Sequence, residues 1–154
     1  MKSIVRCLFA PEASGPLTTK ALLVLRLWLG LTILLNHGWD KLAHFSEKAD
    51  KFPDVTGLGS AVSLGLAVFA EFFCGALLVL GLLTRFAALM LSITMGVAFS
   101  MAHKFALSGP RSGELAFIYL AGFVAILIAG PGGCSADACL FRKPSAPPTT
   151  TEVS

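Results

Sequence analysis

Residues 60–83 form an unbroken apolar stretch, long enough to cross a bilayer, with a single charged side chain near its middle: Glu71. An ionisable group at that depth costs about 2.5–3.5 kcal/mol on insertion scales. Such a carboxylate needs a counter-charge, a proton or a function. The other apolar stretches, 21–36, 86–102 and 115–130, therefore matter for what they can place opposite it. At about 1.5 Å per residue the shorter ones reach about 24–26 Å, slightly less than a ~30 Å hydrocarbon core. They span if the helix continues through polar flanks such as Asn36-His37-Gly38 and Glu114. With 55% hydrophobic and 14% charged residues in 154, and a mean hydropathy of +0.78, the chain has the composition of a small polytopic membrane protein. The expected fold is all-α: an integral membrane antiparallel four-helix bundle with both termini on the same side.

The first stretch follows a basic start (Lys2, Arg6, Lys20), as a signal peptide would. Arg26 interrupts its apolar region, however, and no small-x-small cleavage site follows, so it reads as an uncleaved first span. The net charge of +3 is scattered, which excludes a nucleic-acid-binding stripe. Lys2, Arg6, Lys20, Arg85, Arg142 and Lys143 fall on one side of such a bundle, and Lys41, Lys48, Lys51, Lys104 and Arg111 on the other. Six against five favours cytoplasmic termini.

Residues 1–19 read as an amino-terminal arm, 20–141 as one membrane domain with spans at about 20–41, 59–83, 85–104 and 113–130, and 142–154 as a disordered Pro/Thr-rich tail. The 42–59 connection mixes Phe45, Phe52 and Val55 with charges and is expected to cap the bundle at the interface. Small residues, among them Gly30, Gly75, Ala87, Ala88 and Gly122, supply the close approach by which membrane helices pack.

Arg26, Ile33, His37, Asp40 and Lys41 lie within roughly 60° of one direction on the first helix. Setting Asp40 level with Ser60 puts Arg26 about 21 Å and Glu71 about 16 Å inward, which predicts an Arg26–Glu71 intramembrane ion pair. Alternating helices also gather His37, Asp40, Lys41, His103, Lys104 and Glu114 at one end. His37, Asp40, Lys41, Glu71, His103 and Glu114 are thus candidates for a ligand site or proton relay, with interfacial placement as the plainer alternative for the histidines. No metal site is expected, because no His, Cys or carboxylate set has ligand spacing. Cys74 reads as an apolar filler. Cys134 and Cys139, in Cys-Ser-Ala-Asp-Ala-Cys, are either redox thiols or unpaired thiols in a reducing compartment.

His37-Gly38-x-x-Lys41, Glu71-x-x-x-Gly75 running into Leu80-Gly81-Leu82-x-Thr84-Arg85, His103, Glu114-Leu115-Ala116 and Gly130-Pro131-Gly132-x-x-Ser135-x-Asp137 resemble the DoxX family. The resemblance runs from about Leu25 to Asp137, and Cys134 and Cys139 look like departures from it. It implies a four-helix bacterial inner-membrane protein. The family takes its name from a subunit of a thiosulfate:quinone oxidoreductase, and some relatives associate with thiol-oxidation or oxidative-stress proteins.

Two functions follow as expectations. One is an accessory or subunit of a quinone- or thiol-linked membrane oxidoreductase system, with Lys41 and the histidines as donors to a quinone head group or small oxyanion and Glu114 as proton acceptor. The other is a non-enzymatic membrane scaffold or small-solute transport element. There is no haem, flavin or nucleotide motif, which favours an accessory over a complete enzyme. Expected partners are the lipid bilayer, other membrane or redox proteins, and further copies of the chain.

Overall fold

A computed structural model describes residues 15–110 and 112–141. The expected arm (through residue 14) and the tail from residue 142 lie outside the described residues. Among the described residues every regular element is helical. Helix α1 runs Pro16–Ala43, α2 Phe45–Lys48, α3 Ser60–Leu80, α4 Thr84–Ala102, α5 Glu114–Ala129 and α6 Ala136–Phe141. By length and composition α1, α3 and α4 can each cross a membrane, whereas α5 is a shorter apolar helix.

Two boundaries differ from the sequence expectation. Helix α1 starts at Pro16, not near Lys20, because proline at the first helical position has no N–H to lose and a preset φ. The chain beyond Gly130 forms a further short helix, α6, after the last span that the sequence reading gives.

The helices are apolar on both the inner and the outer face. Ile33, Leu78, Ala87, Leu91, Phe123 and Ile126 are buried together, while Leu17, Val24, Trp28, Phe73 and Ile128 stand exposed on the periphery. A soluble domain would not leave so much large apolar surface open; a bilayer covers it. Hydroxyls within the helices bond back to the preceding turn, as a medium without water requires: Ser92 Oγ donates to the Ala88 carbonyl at 2.7 Å and Thr94 Oγ1 to that of Met90 at 3.0 Å.

Glycines set the register. A Cβ on Gly30 would meet the Val79 side chain at 2.8 Å, and one on Gly38 the backbone of Glu71 and Phe72 at 2.7 Å. Going from residue 30 to 38 on α1 thus corresponds to going from 79 to 71 on α3, so the two are tightly packed antiparallel neighbours. Three helices also carry a wide π turn, Leu34–Gly38 in α1, Phe69–Cys74 in α3 and Ala98–Ala102 in α4. Such turns cluster at functional sites.

Candidate functional site

The backbone contact at Gly38 fixes what Glu71 faces. Lys41 lies one turn further along α1, and its Nζ meets Glu71 Oε2 at 2.5 Å. Both groups are largely withdrawn from solvent, with side-chain exposures of 18% for Lys41 and 6% for Glu71. The Arg26–Glu71 pair expected from the sequence is therefore corrected to a Lys41–Glu71 pair. The error lay in the register. Ser60 lies eleven residues before Glu71 (71 − 60) and Asp40 two beyond Gly38 (40 − 38), so the start of α3 stands about 14 Å further out than Asp40. The same register separates Arg26 from the level of Glu71 by about 18 Å.

Beside the ion pair lies a cavity of about 570 Å³ between α1, α3, α4 and α5. Its walls are mostly apolar, with Ile33, Leu66, Ala67, Met95 and Ala98 among them. His37, Lys41, Glu71 and His103 line it, so four of the six candidate residues share one space. The His37 ring also meets the Tyr119 ring edge-to-face, centroids 6.1 Å apart.

Asp40 and Glu114 do not line this cavity. Asp40 turns outward and takes Lys48 Nζ and His44 Nδ1 as partners, the latter at 3.2 Å. Glu114 opens α5 on its exposed side. The convergence argument fails for these two because helix ends share a level, but each side chain still follows its own helix face.

The aqueous end of the cavity is lined by Phe52, Pro53, Val55 and Thr56 of the 42–59 connection. Asp54 ties this loop to the start of α3. Its carboxylate accepts from the amides of Gly57 (2.9 Å) and Gly59 (3.0 Å) and from the Ser63 hydroxyl (3.0 Å). Desolvation pushes the Asp54 carboxyl up, but the Ser63 hydroxyl and the amides of Gly59, Gly57 and Thr56 together outweigh it and hold the group below its ordinary range.

These cavity-lining positions on α1, α3 and α4 fall inside the segment that a known family covers. The DoxX family model matches residues 21–104, more than half of the chain. The chain belongs to the DoxX family. An uncharacterized protein of Haemophilus influenzae is 36% identical over 111 residues, which cover 66% of this chain and 83% of that relative. No solved structure matches the chain. This DoxX protein is accordingly a membrane protein, with Arg26, His37, Lys41, Glu71 and His103 inside the matched segment and Glu114, Cys134 and Cys139 beyond it.

Arg26, near the middle of α1, belongs to a second buried cluster, beside the turn that follows α3. Its guanidinium donates to the Cys134 carbonyl, and the carboxylate whose field reaches it is Asp137. Asp137 accepts from the amides of Leu83 (2.8 Å) and Thr84 (2.9 Å), and its own N–H donates to the Gly81 carbonyl at 2.9 Å. It thereby caps α4 and holds Leu83 at φ 48, a backbone region that a branched residue adopts only when its surroundings impose it. Gly81, at φ 69, leaves the space that the guanidinium fills, since a Cβ there would meet Arg26 Nη1 at 1.8 Å. Cys134 and Cys139 are free thiols exposed at this end, away from the cavity.

The sequence reading assigned Asp137 no partner. A readable signal was present, since a lone acid after a Gly-Pro-Gly helix stop suits an amide-capping role. Tyr119 and Ser63, also missed, carry no sequence signal that separates them from ordinary helix residues.

Proposed function

We propose that this DoxX protein is an inner-membrane four-helix bundle with both termini in the cytoplasm, and that it serves as an accessory or subunit of a quinone- or thiol-linked oxidoreductase system. The cavity beside Lys41 and Glu71 is its ligand site. One observation carries this reading: a buried ion pair and two histidines border a mostly apolar space of ligand size. Binding pockets combine apolar walls with a few placed polar groups in this way, and ionisable residues at membrane depth mark ligand or ion paths by default. Within the site Lys41 is the donor to a ligand oxygen, and the contact with Glu71 holds that ammonium in place. His37 from α1 and His103 from the end of α4 line the same cavity.

A four-helix chain without a motif for haem, flavin or nucleotide fits an accessory role, the electrons being handled by a partner. The test is isolation of the full chain from its native membrane in mild detergent, with organic extraction of co-purified small molecules and identification of co-purified proteins. A stoichiometric quinone or an oxidoreductase partner, lost together in the Lys41→Ala/His103→Ala double variant, is the expected result. Full retention of both by a folded double variant would reject the cavity as the site.

A further inference from the structure

The cavity's charge and its openings restrict what can occupy it, given the reading of it as a ligand site. Among its lining residues the charged pair is Lys41 and Glu71, in contact at 2.5 Å, so the site carries no net charge from them. A small oxyanion would have to leave water for mostly apolar walls and lie beside the Glu71 carboxylate with the lysine charge already compensated, which is unfavourable on both counts. A neutral carbonyl or hydroxyl faces no such cost. It can accept from an ammonium that has three hydrogens and gives one to Glu71.

The openings point the same way. Leu66 on α3 and Ile93 on α4 line the cavity, yet they are 52% and 51% exposed on the apolar outer surface. The space therefore reaches the lipid-facing side between these two helices. At the aqueous end stands the loop of Phe52, Pro53, Val55 and Thr56, held by the Asp54 hydrogen bonds and by Thr56 Oγ1 against Ser63 Oγ at 3.0 Å.

We infer that the cavity takes an uncharged, bilayer-dissolved carbonyl or hydroxyl compound of the quinone type, through a mouth between Leu66 and Ile93, and that Glu71 excludes small oxyanions by neutralising Lys41. Two parts of the site thus have separate tasks. The mouth selects for partition from lipid, and the ion pair selects for neutrality.

The test uses the full chain in phosphatidylcholine nanodiscs, with a short-tailed benzoquinone and radiolabelled thiosulfate as probes. The unmodified protein should bind the quinone saturably, with thiosulfate at a hundredfold excess failing to compete. Ile93→Trp, at a position 51% exposed, should weaken quinone binding about tenfold at unchanged thermal stability. Glu71→Gln should gain thiosulfate binding, because the lysine charge is then uncompensated. If Glu71→Gln does not fold, the competition on the unmodified protein and the Ile93→Trp result decide alone. Thiosulfate competing on equal terms in the unmodified protein would overturn the selectivity while leaving the cavity a ligand site. Unchanged quinone binding in Ile93→Trp would overturn the mouth. Failure of the folded protein to bind either probe would overturn both this inference and the ligand-site reading beneath it.

Discussion

Helix α1 carries two cations withdrawn from solvent, Arg26 near its middle and Lys41 in its last turn, and the two are treated differently. Arg26 is 1% exposed, sealed by the Cys134 carbonyl, the Gly81 turn and Asp137, itself 1% exposed. Lys41 meets Glu71 in the last turn of α1 but borders an open space of about 570 Å³. Asp137 commits each carboxylate oxygen to a backbone amide at the turn into α4, so the inner cluster ties that turn to the chain after α5. The outer pair has open space next to it, so it can meet a ligand. Burial of a charge therefore does not by itself indicate function; unfilled volume beside the charge separates the two cases.

The contrast is open to attack by substitution. Asp137→Ala should have the largest effect, about 3–5 kcal/mol of lost stability, because it strands a buried guanidinium and two capped amides together. Unfolding in mild detergent with increasing dodecyl sulfate would measure it. Glu71→Gln should cost less, about 2 kcal/mol, since Lys41 is partly exposed and can turn its ammonium into the cavity. A Lys41→Met/Glu71→Leu double variant should recover most of that loss in the same titration. If Glu71→Gln proves costlier than Asp137→Ala, the division between a closing cluster and a working pair is wrong.

The helix contact that creates the outer pair can be probed separately. Gly38→Ala places a Cβ 2.7 Å from the α3 backbone and should cost about 1–2 kcal/mol by prising α1 from α3. Gly65→Ala, with nothing within 4 Å, should stay within about 0.5 kcal/mol of the unmodified protein. Equal losses from the two in thermal unfolding would show that the register does not depend on Gly38.

The smallest effect concerns the loop over the cavity. Asp54 has its carboxyl held below the ordinary value, so its contribution is complete above that ordinary value, near pH ~4, and is lost as the pH falls through the lower, folded-state value. Amide exchange at Gly57 and Gly59 should thus be insensitive between neutral and mildly acidic pH and accelerate only in stronger acid. Asp54→Ala should accelerate it at neutral pH as well, without shifting global unfolding. Exchange that changes near neutrality would mean that another group holds the loop.

The sequence alone determined the class of molecule and most of its parts. Apolar stretches of membrane-crossing length, interrupted by Gly81 and Gly130, are a local property of the chain, and the helices α1, α3, α4 and α5 follow them closely. The isolated charge of Glu71 likewise marked a buried ionisable site before any contact was known. The pairing needed the tertiary structure. A helix rises about 1.5 Å per residue, so a register error of nine residues moves a partner by about 14 Å and exchanges Arg26 for Lys41. That register is set by Gly38 seating on the backbone of Glu71 and by the length that α2 and the 42–59 connection add outside it. Neither is encoded in the periodicity of one helix. The cavity is less local still, because it is the volume that four helices and a loop leave unfilled. Only their packing decides that such a volume exists beside Lys41, while Arg26 is 1% exposed.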